Sequence, residues 1–235
     1  MARTDVAGVV HAKKGVIFDL FHTLTAIQEE WGPGTSEMLG VPRDAWNEQL
    51  TAKSRDRMIG RERDPYTIFA GMAHAIDPAI PKEVIERAVE SRVVRFERAL
   101  SNIAAESQDV LRRLKDSGKR LGLISDADVT EIAGWGKCPL RLLVDAAIFS
   151  CEVGCCKPEP RIYGLCLERL GLAPADCVYV GDGGSNELAG ARRMGMTSVM
   201  VTGVIEQLWP DKIAERRPDA DFVIKRLTEL LPEPA

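Results

Sequence analysis

The sequence predicts an α/β fold, a doubly wound parallel sheet with an all-helical segment inserted after its first strand. Three observations carry this expectation. Short apolar runs bounded by turn residues recur through the second half of the chain, as strands covered on both faces do. Stretches with helical spacing separate those runs, and that alternation implies parallel strands joined by crossovers. Residues 26–103 lack a convincing strand and hold several helical stretches instead.

Taken in order, Val16-Ile17-Phe18 reads as a buried strand that ends abruptly in the carboxylate of Asp19. The runs Arg120–Ser125, Ala146–Ser150, Cys177–Gly181 and Ser198–Thr202 follow, with Asp221–Ile224 as a short late candidate. Between them, Gln108–Asp116 places Val110, Leu111 and Leu114 on one helical face, and Gly118 is a natural stop. Pro160–Leu170 carries Ile162, Leu165, Cys166 and Leu170 at helical spacing, and the Ala-rich stretch Asn186–Met194 ends at Gly195. In the inserted segment the longest helices are expected over Asp44–Met58 and Pro81–Leu100, with Pro81 suited to a first helical turn. The expected organisation is therefore an α/β core from residues 1–25 and 104–235 and a helical cap from 26–103. Hinges are expected near residues 25–28 and 101–105, and a loose tail over 231–235.

Composition narrows the function. The chain has 235 residues, 45% hydrophobic and 28% charged, with net charge −4, as in an ordinary globular protein of one large domain or a domain with an insertion. That charge balance offers no basic face for nucleic acid. No apolar run approaches the roughly 20 residues that cross a bilayer, and Met1–Lys14 has no signal-like apolar stretch, so no membrane partner and a cytoplasmic address are expected. The six cysteines are expected to be reduced and mostly buried. Cys151, Cys155 and Cys156 fit no paired zinc-binding spacing and have no nearby histidine, although Cys155 and Cys156 place thiols just before Lys157. No sequence feature sets the oligomeric state.

A carboxylate at the C-terminal end of a central parallel strand sits where open α/β sheets bind ligands. It can attack an electrophile and form a covalent intermediate. Four pieces fall at successive strand ends: Asp19 with Thr23, then Ser125, then Lys157, then Asp182. Asp19 and Asp182 are hard oxygen donors of the type that Mg²⁺ prefers. Taken singly, Lys157 before a proline reads as a surface residue, Ser125 as a turn former and Asp182 as a helix cap; the joint pattern points to a site.

This pattern resembles the haloacid dehalogenase superfamily of phosphatases and dehalogenases over nearly the whole chain. Its motifs stand here as Asp19-Leu20-Phe21-His22-Thr23-Leu24, Ile124-Ser125-Asp126, Lys157-Pro158-Glu159-Pro160 and Val180-Gly181-Asp182-Gly183-Gly184-Ser185-Asn186-Glu187. The resemblance implies a sheet order 5-4-1-2-3 with a helical cap after the first strand. It implies a Mg²⁺-dependent hydrolase acting on a small phosphorylated molecule through an aspartyl-phosphate on Asp19. It further implies that Asp19, the Phe21 carbonyl and Asp182 bind the metal. Glu187 stands where the family more often has a supporting aspartate, in reach of a water-bridged role. Lys157 would neutralise charge on the nucleophile and the phosphoryl oxygens, with Ser125 and Thr23 donating hydrogen bonds to those oxygens. His22 and Asp126 would lie beside the substrate.

The chain departs from the family at Phe21. Family phosphatases carry there a second aspartate that protonates the leaving alcohol and then activates water, help worth roughly 10²- to 10⁴-fold. One reading is a phosphohydrolase whose substrate has a good leaving group, such as an acyl phosphate or a phosphoanhydride, or one in which His22 supplies the proton. A second is a 2-haloacid dehalogenase, because those enzymes carry an aromatic residue here and halide needs no proton. The intact Gly181-Asp182 argues against it, since dehalogenases use a Ser-rich motif and no Mg²⁺. A third is a non-catalytic phosphate-sensing protein. A phosphonate hydrolase, which needs a cap lysine, has only Lys53 to offer in the first half of the cap. Arg55, Arg57, Arg61 and Arg63 around Gly60 could select a distal anion, but with Asp56, Glu62 and Asp64 they read as a solvated surface. Arg87, Arg92, Arg95 and Arg98 read the same way among glutamates. Trp31, Tyr66 and Phe69 are expected in the core of the cap.

Overall fold

The structure is a computed structural model that describes residues 5–25 and 33–232. Trp31, residues 26–28 of one expected hinge and the last three residues of the expected tail lie outside that range. Among the described residues no helix is long and apolar enough to cross a membrane.

Six parallel strands form one sheet: β1 (Gly15–Phe18), β2 (Arg120–Ser125), β3 (Ala146–Phe149), β4 (Cys177–Gly181), β5 (Thr197–Val201) and β6 (Phe222–Ile224). Their spatial order is β3-β2-β1-β4-β5-β6. This is the expected order with β6 added at the β5 edge. β1 is central and buried along its whole length. Its alternation divides the core. Val16 and Phe18 face a cluster with Leu111, Leu114, Leu123 and Val180, while Ile17 faces Ile124, Tyr163, Cys166 and Tyr179 on the other side. Register pairs Phe18 with Leu123 and with Val180. The residues that follow these strands therefore emerge together at one edge, the geometry that gathers a site.

The helices follow their sequence signals with small shifts. α1 (Val6–Ala12) opens the chain, capped by Asp5, which accepts from the Gly8 N–H at 2.8 Å. Between β1 and β2 lie α2 (Thr35–Leu39), α3 (Arg43–Ala52), α4 (Ser54–Met58), α5 (Pro65–Ile76), α6 (Lys82–Ser101) and α7 (Ala105–Asp116). The expected single helix over 44–58 is broken at Lys53, whose backbone is not helical. Pro81 stands at the N-cap of α6, not within its first turn. α5 went unmarked by apolar spacing, yet its start was legible: Asp64 caps Thr67 N–H at 2.7 Å and Pro65 occupies the first turn. The helical segment has its own core, in which Trp46 stacks on Phe69 with ring centroids 5.9 Å apart, joined by Ile85 and half-buried Tyr66. α8 (Ser150–Val153), α9 (Pro160–Leu170), α10 (Glu187–Arg193), α11 (Ile205–Leu208) and α12 (Asp211–Arg216) complete the chain.

The helical segment is locked to the sheet by charge as well as by packing. The expectation of a solvated arginine face fails at two residues. Arg57 and Arg92 are 6% exposed. Arg57 pairs with Asp128 from the loop after β2. Arg92 donates to Glu131 at 2.6 Å, to Thr130 at 2.9 Å and to Asp128 at 3.4 Å. Two guanidiniums are thus buried against two carboxylates, the only form in which such charges are tolerated inside. Nearby, the left-handed Gly60 (φ 66°) lies against the Cys151 carbonyl; a Cβ there would sit 2.1 Å from that oxygen. Gly60 is thus required by close approach as well as by its backbone conformation.

Candidate active site

Asp19 follows β1 directly, and its N–H donates to the Val180 carbonyl at 2.9 Å, which fixes the start of the turn that ends at Thr25. Within that turn His22 adopts a left-handed backbone, φ 61°. The Asp19 side chain is 5% exposed. Its Oδ1 accepts from Lys157 Nζ at 2.5 Å and its Oδ2 from Thr23 Oγ1 at 3.0 Å. The Thr23 hydroxyl is thus engaged with the carboxylate itself, not free to donate elsewhere as expected. Its spacing of four residues from Asp19 suits this, because one tight turn brings the two side chains together.

Lys157 comes from the loop between α8 and α9, where its N–H donates to Asp126 Oδ1 at 2.9 Å. Its Nζ also donates to Glu187 Oε2 at 2.6 Å. Burial alone would depress this ammonium, but the charges of Asp19, Glu187 and Asp126 hold it well above its ordinary pKa. Glu187 is fully buried and accepts three direct contacts in place of the expected water-bridged role. Oε2 takes the Lys157 ammonium and the Tyr179 hydroxyl at 2.8 Å, and Oε1 takes the Gly183 N–H at 3.0 Å. Gly181 makes this possible: a Cβ there would lie 2.0 Å from Glu187 Oε1. Asp182 follows β4; its Oδ1 accepts from Gly184 N–H and its Oδ2 from Arg216 Nη1, both at 2.8 Å.

One ligand atom from each of Asp19, Asp182 and Glu187 lies within 4.8 Å of the others. Burial and the neighbouring Asp182 charge push Asp19 up despite Lys157, and burial and the Asp19 charge push Glu187 up. Asp126 is also raised, first by burial. Four carboxylates (Asp19, Asp126, Asp182, Glu187) face two cations (Lys157, Arg216). An all-oxygen donor set with two negative charges in excess fits a hard divalent cation such as Mg²⁺. Ser125, the last residue of β2, is 1% exposed, and its Oγ has no hydrogen-bond partner. A buried hydroxyl without a partner costs about 1–3 kcal/mol unless a ligand satisfies it.

These groups open on a cavity of about 370 Å³ that Asp19, Asp126, Lys157, Asp182 and Glu187 share with Phe21 and His22. Its other walls are Met58 and Phe96 from the helical segment, Glu131 after β2, and Trp209 and Arg216 between β5 and β6. Pattern reading found none of these five. Met58, Phe96 and Trp209 read locally as ordinary apolar residues, and Arg216 sits in a charged helix. The His22 ring lies edge-on to Trp209 with centroids 4.9 Å apart. Burial lowers its pKa, more than the Asp182 and Asp19 charges raise it. A non-glycine residue in the left-handed region costs about 1–2 kcal/mol. We expect His22→Gly to raise stability by about 1 kcal/mol, read from urea midpoints; an unchanged or lower midpoint would show that the ring contacts outweigh the strain.

All six cysteines are free and buried. Burial pushes Cys151, Cys156 and Cys166 up to about 12, so thiolate is scarce at neutral pH. None lines the cavity, and their burial is as expected. We expect native protein to resist alkylation by iodoacetamide at pH about 8, and all six thiols to react after unfolding; mass spectrometry checks both.

The doubly wound sheet thus gathers a buried carboxylate, a lysine and two further acids around one cavity. The profile of the haloacid dehalogenase-like hydrolases matches residues 13–195, and the chain belongs to that family. It is 32% identical over 124 residues to the glyceraldehyde 3-phosphate phosphatase of Methanothermobacter thermautotrophicus, covering 50% of this chain and 54% of that protein. The chain spans about half the length of such curated relatives, or less. A solved dehalogenase superposes over 93% of this chain and 96% of its own (TM-score 0.62, 19% identity). A Bacteroides thetaiotaomicron family enzyme in complex with magnesium and inorganic phosphate does so over 80% and 94% (TM-score 0.60, 18% identity).

Proposed function

We propose that this hydrolase is a Mg²⁺-dependent phosphatase of a small phosphorylated molecule, with Asp19 as the nucleophile. The observation that carries the reading is that one carboxylate oxygen from each of Asp19, Asp182 and Glu187 lies within 4.8 Å of the others. Asp19, Asp182 and the Phe21 carbonyl would hold the metal, with Glu187 bracing it through Lys157 and Gly183. When bound, Mg²⁺ would offset the repulsion between an anionic nucleophile and a phosphate dianion. Thr23 and Lys157 hold the Asp19 carboxylate in one orientation. An Asp19 oxygen attacks phosphorus, the bond to the leaving oxygen breaks, and its electron pair departs with that oxygen. Lys157 and the free Ser125 hydroxyl steady the phosphoryl oxygens. Water then hydrolyses the aspartyl-phosphate and releases phosphate. Residues 26–103 act in this reading as a cap whose Met58 and Phe96 close the cavity and exclude water. A cytoplasmic setting is part of the reading and accords with six unpaired thiols.

One observation favours a second reading. Phe21 lines the cavity and cannot move a proton, as suits a dehalogenase. The cation-seeking carboxylates weigh the other way, because Asp182 and Glu187 beside Asp19 are costly without a metal. The test is a screen of phosphate esters, acyl phosphates and 2-haloacids, with Mg²⁺ and with EDTA. Phosphate release that EDTA stops is the expected result. Halide release insensitive to EDTA would replace it with the dehalogenase. Phosphate-analogue binding without turnover would replace it with a sensing protein.

A further inference from the structure

The cavity holds two kinds of wall. One is polar, with the carboxylates, Lys157 and Arg216; the other is Phe21, His22, Met58, Phe96 and Trp209. Phe21 meets Phe96 edge-on at 5.5 Å, as His22 meets Trp209 at 4.9 Å, so four rings from three separate segments frame one space. Trp209 is 43% exposed, an aromatic surface kept beside the cavity without being needed to fill the core.

Charge at the cavity is already spent. Lys157 faces Asp19 and Glu187, and Arg216 faces Asp182 at 2.8 Å. The arginines of the helical segment do not add to it. Arg57 is paired with Asp128, Arg55 with Glu159 at 3.0 Å and Arg61 with Asp56 at 2.8 Å, while Arg63 donates to the Cys151 carbonyl at 3.1 Å. None of these four lines the cavity. Among the described residues, then, no unpaired lysine or arginine lines the cavity to meet a second anionic group on the substrate.

Phe21 has no proton to give, so an ester whose leaving oxygen departs readily as an anion has the advantage here. Phenolic oxygens do this far more readily than alkyl ones, and a phenol ring is what aromatic walls accommodate by edge and face contacts. The aromatic walls and the aprotic Phe21 side chain thus favour the same group.

We propose that the cavity recognises a phosphate monoester of an aromatic alcohol carrying no second ionised group. The proposal rests on the phosphatase reading for its chemistry. Asp19 forms the O–P bond while the P–O(aryl) bond breaks. The aryloxide leaves with the electron pair and takes its proton from water outside the site. Trp209 and Phe96 bind the ring, and Phe21 keeps the bridging oxygen dry.

The test separates recognition from turnover. Calorimetry with Mg²⁺ compares phenylphosphonate and methylphosphonate, which cannot be hydrolysed. We expect phenylphosphonate to bind at least about tenfold tighter. In Trp209→Ala and Phe96→Ala we expect that ratio to fall to about threefold or less. Turnover then compares phenyl phosphate, 4-carboxyphenyl phosphate and glyceraldehyde 3-phosphate. Phenyl phosphate is expected to exceed the alkyl ester in kcat/KM by roughly 10²- to 10⁴-fold, the range that an absent general acid costs, and the carboxylated ring by about tenfold. Equal binding of the two phosphonates, or a preference for the alkyl or carboxylated ester, would overturn the proposal. If phenylphosphonate binds preferentially and no ester releases phosphate, ring recognition stands and the phosphatase reading falls.

Discussion

Asp19→Asn is expected to lower phosphate release by roughly 10⁴- to 10⁶-fold, as removal of a nucleophile does in enzymes that work through one. The reason is local. Asparagine matches aspartate in shape and can still accept from Thr23, but its amide cannot displace a leaving group to form an acyl phosphate. The fold should tolerate the change. Burial first, and then the Asp182 charge, already push Asp19 up, so the ionised carboxylate is costly where it sits. A thermal midpoint equal to or above wild type is expected beside the lost turnover. Single-turnover phosphate release with Mg²⁺ checks the first part and a melt checks the second. A variant that folds and keeps more than about a hundredth of wild-type turnover would remove Asp19 from the chemistry.

The second large effect lies in the charge cluster that joins the helical segment to the sheet. Asp128 is fully buried. It takes the Arg57 guanidinium and accepts from Thr130 N–H at 2.8 Å and Arg92 Nη2 at 3.4 Å. Asp128→Ala leaves two buried guanidiniums with only Glu131 between them. Breaking a buried ion pair costs about 3–5 kcal/mol, and that loss is expected in urea unfolding. Replacing Arg57, Arg92 and Asp128 together by apolar residues of similar volume should cost much less, because no charge is then stranded. The acid side gives a second check. Burial raises Asp128, but Arg92 and Arg57 more than offset it and the net shift is downward. A carboxylate depressed in the folded state contributes stability above its unfolded pKa and loses it as pH falls through the folded value. Wild type should therefore lose more stability than Asp128→Ala between about pH 5 and pH 2. An equal loss in both proteins would show that Asp128 is not held ionised by its partners. Glu131 shares this cluster and also lines the cavity, so the same variant reports on whether this cluster shapes binding there.

Much of the sheet was legible because strands buried on both faces leave continuous apolar runs, and those of 120–125 and 177–181 match their strands residue for residue. α9 was equally plain, with Pro160 in its first turn and left-handed Gly171 at its end. The helical segment was harder. Its helices pack mainly on one another, so α5 shows itself only through its capping residues. The apolar spacing across 44–58 hid the break at Lys53.

The site divides along the same line. Local sequence by itself determined which side chains stand at the strand ends: Asp19, Ser125 and Asp182 are set by where each apolar run stops, whereas Lys157 lies in the loop between α8 and α9. It also determined that Phe21 brings no proton to the leaving group. Only the tertiary structure decided the partners. Lys157 meets Asp19 across 138 residues of chain, and Arg57 meets Asp128 across 71. Arg57 and Arg92 look solvated in any local window and are buried in fact, and Trp209 and Arg216 reach the cavity from a segment with no motif at all. Periodicity reports which face of an element is apolar, because that depends on neighbours three or four residues away. Which charge finds which depends on how the faces close on one another, and that is settled only when the chain packs.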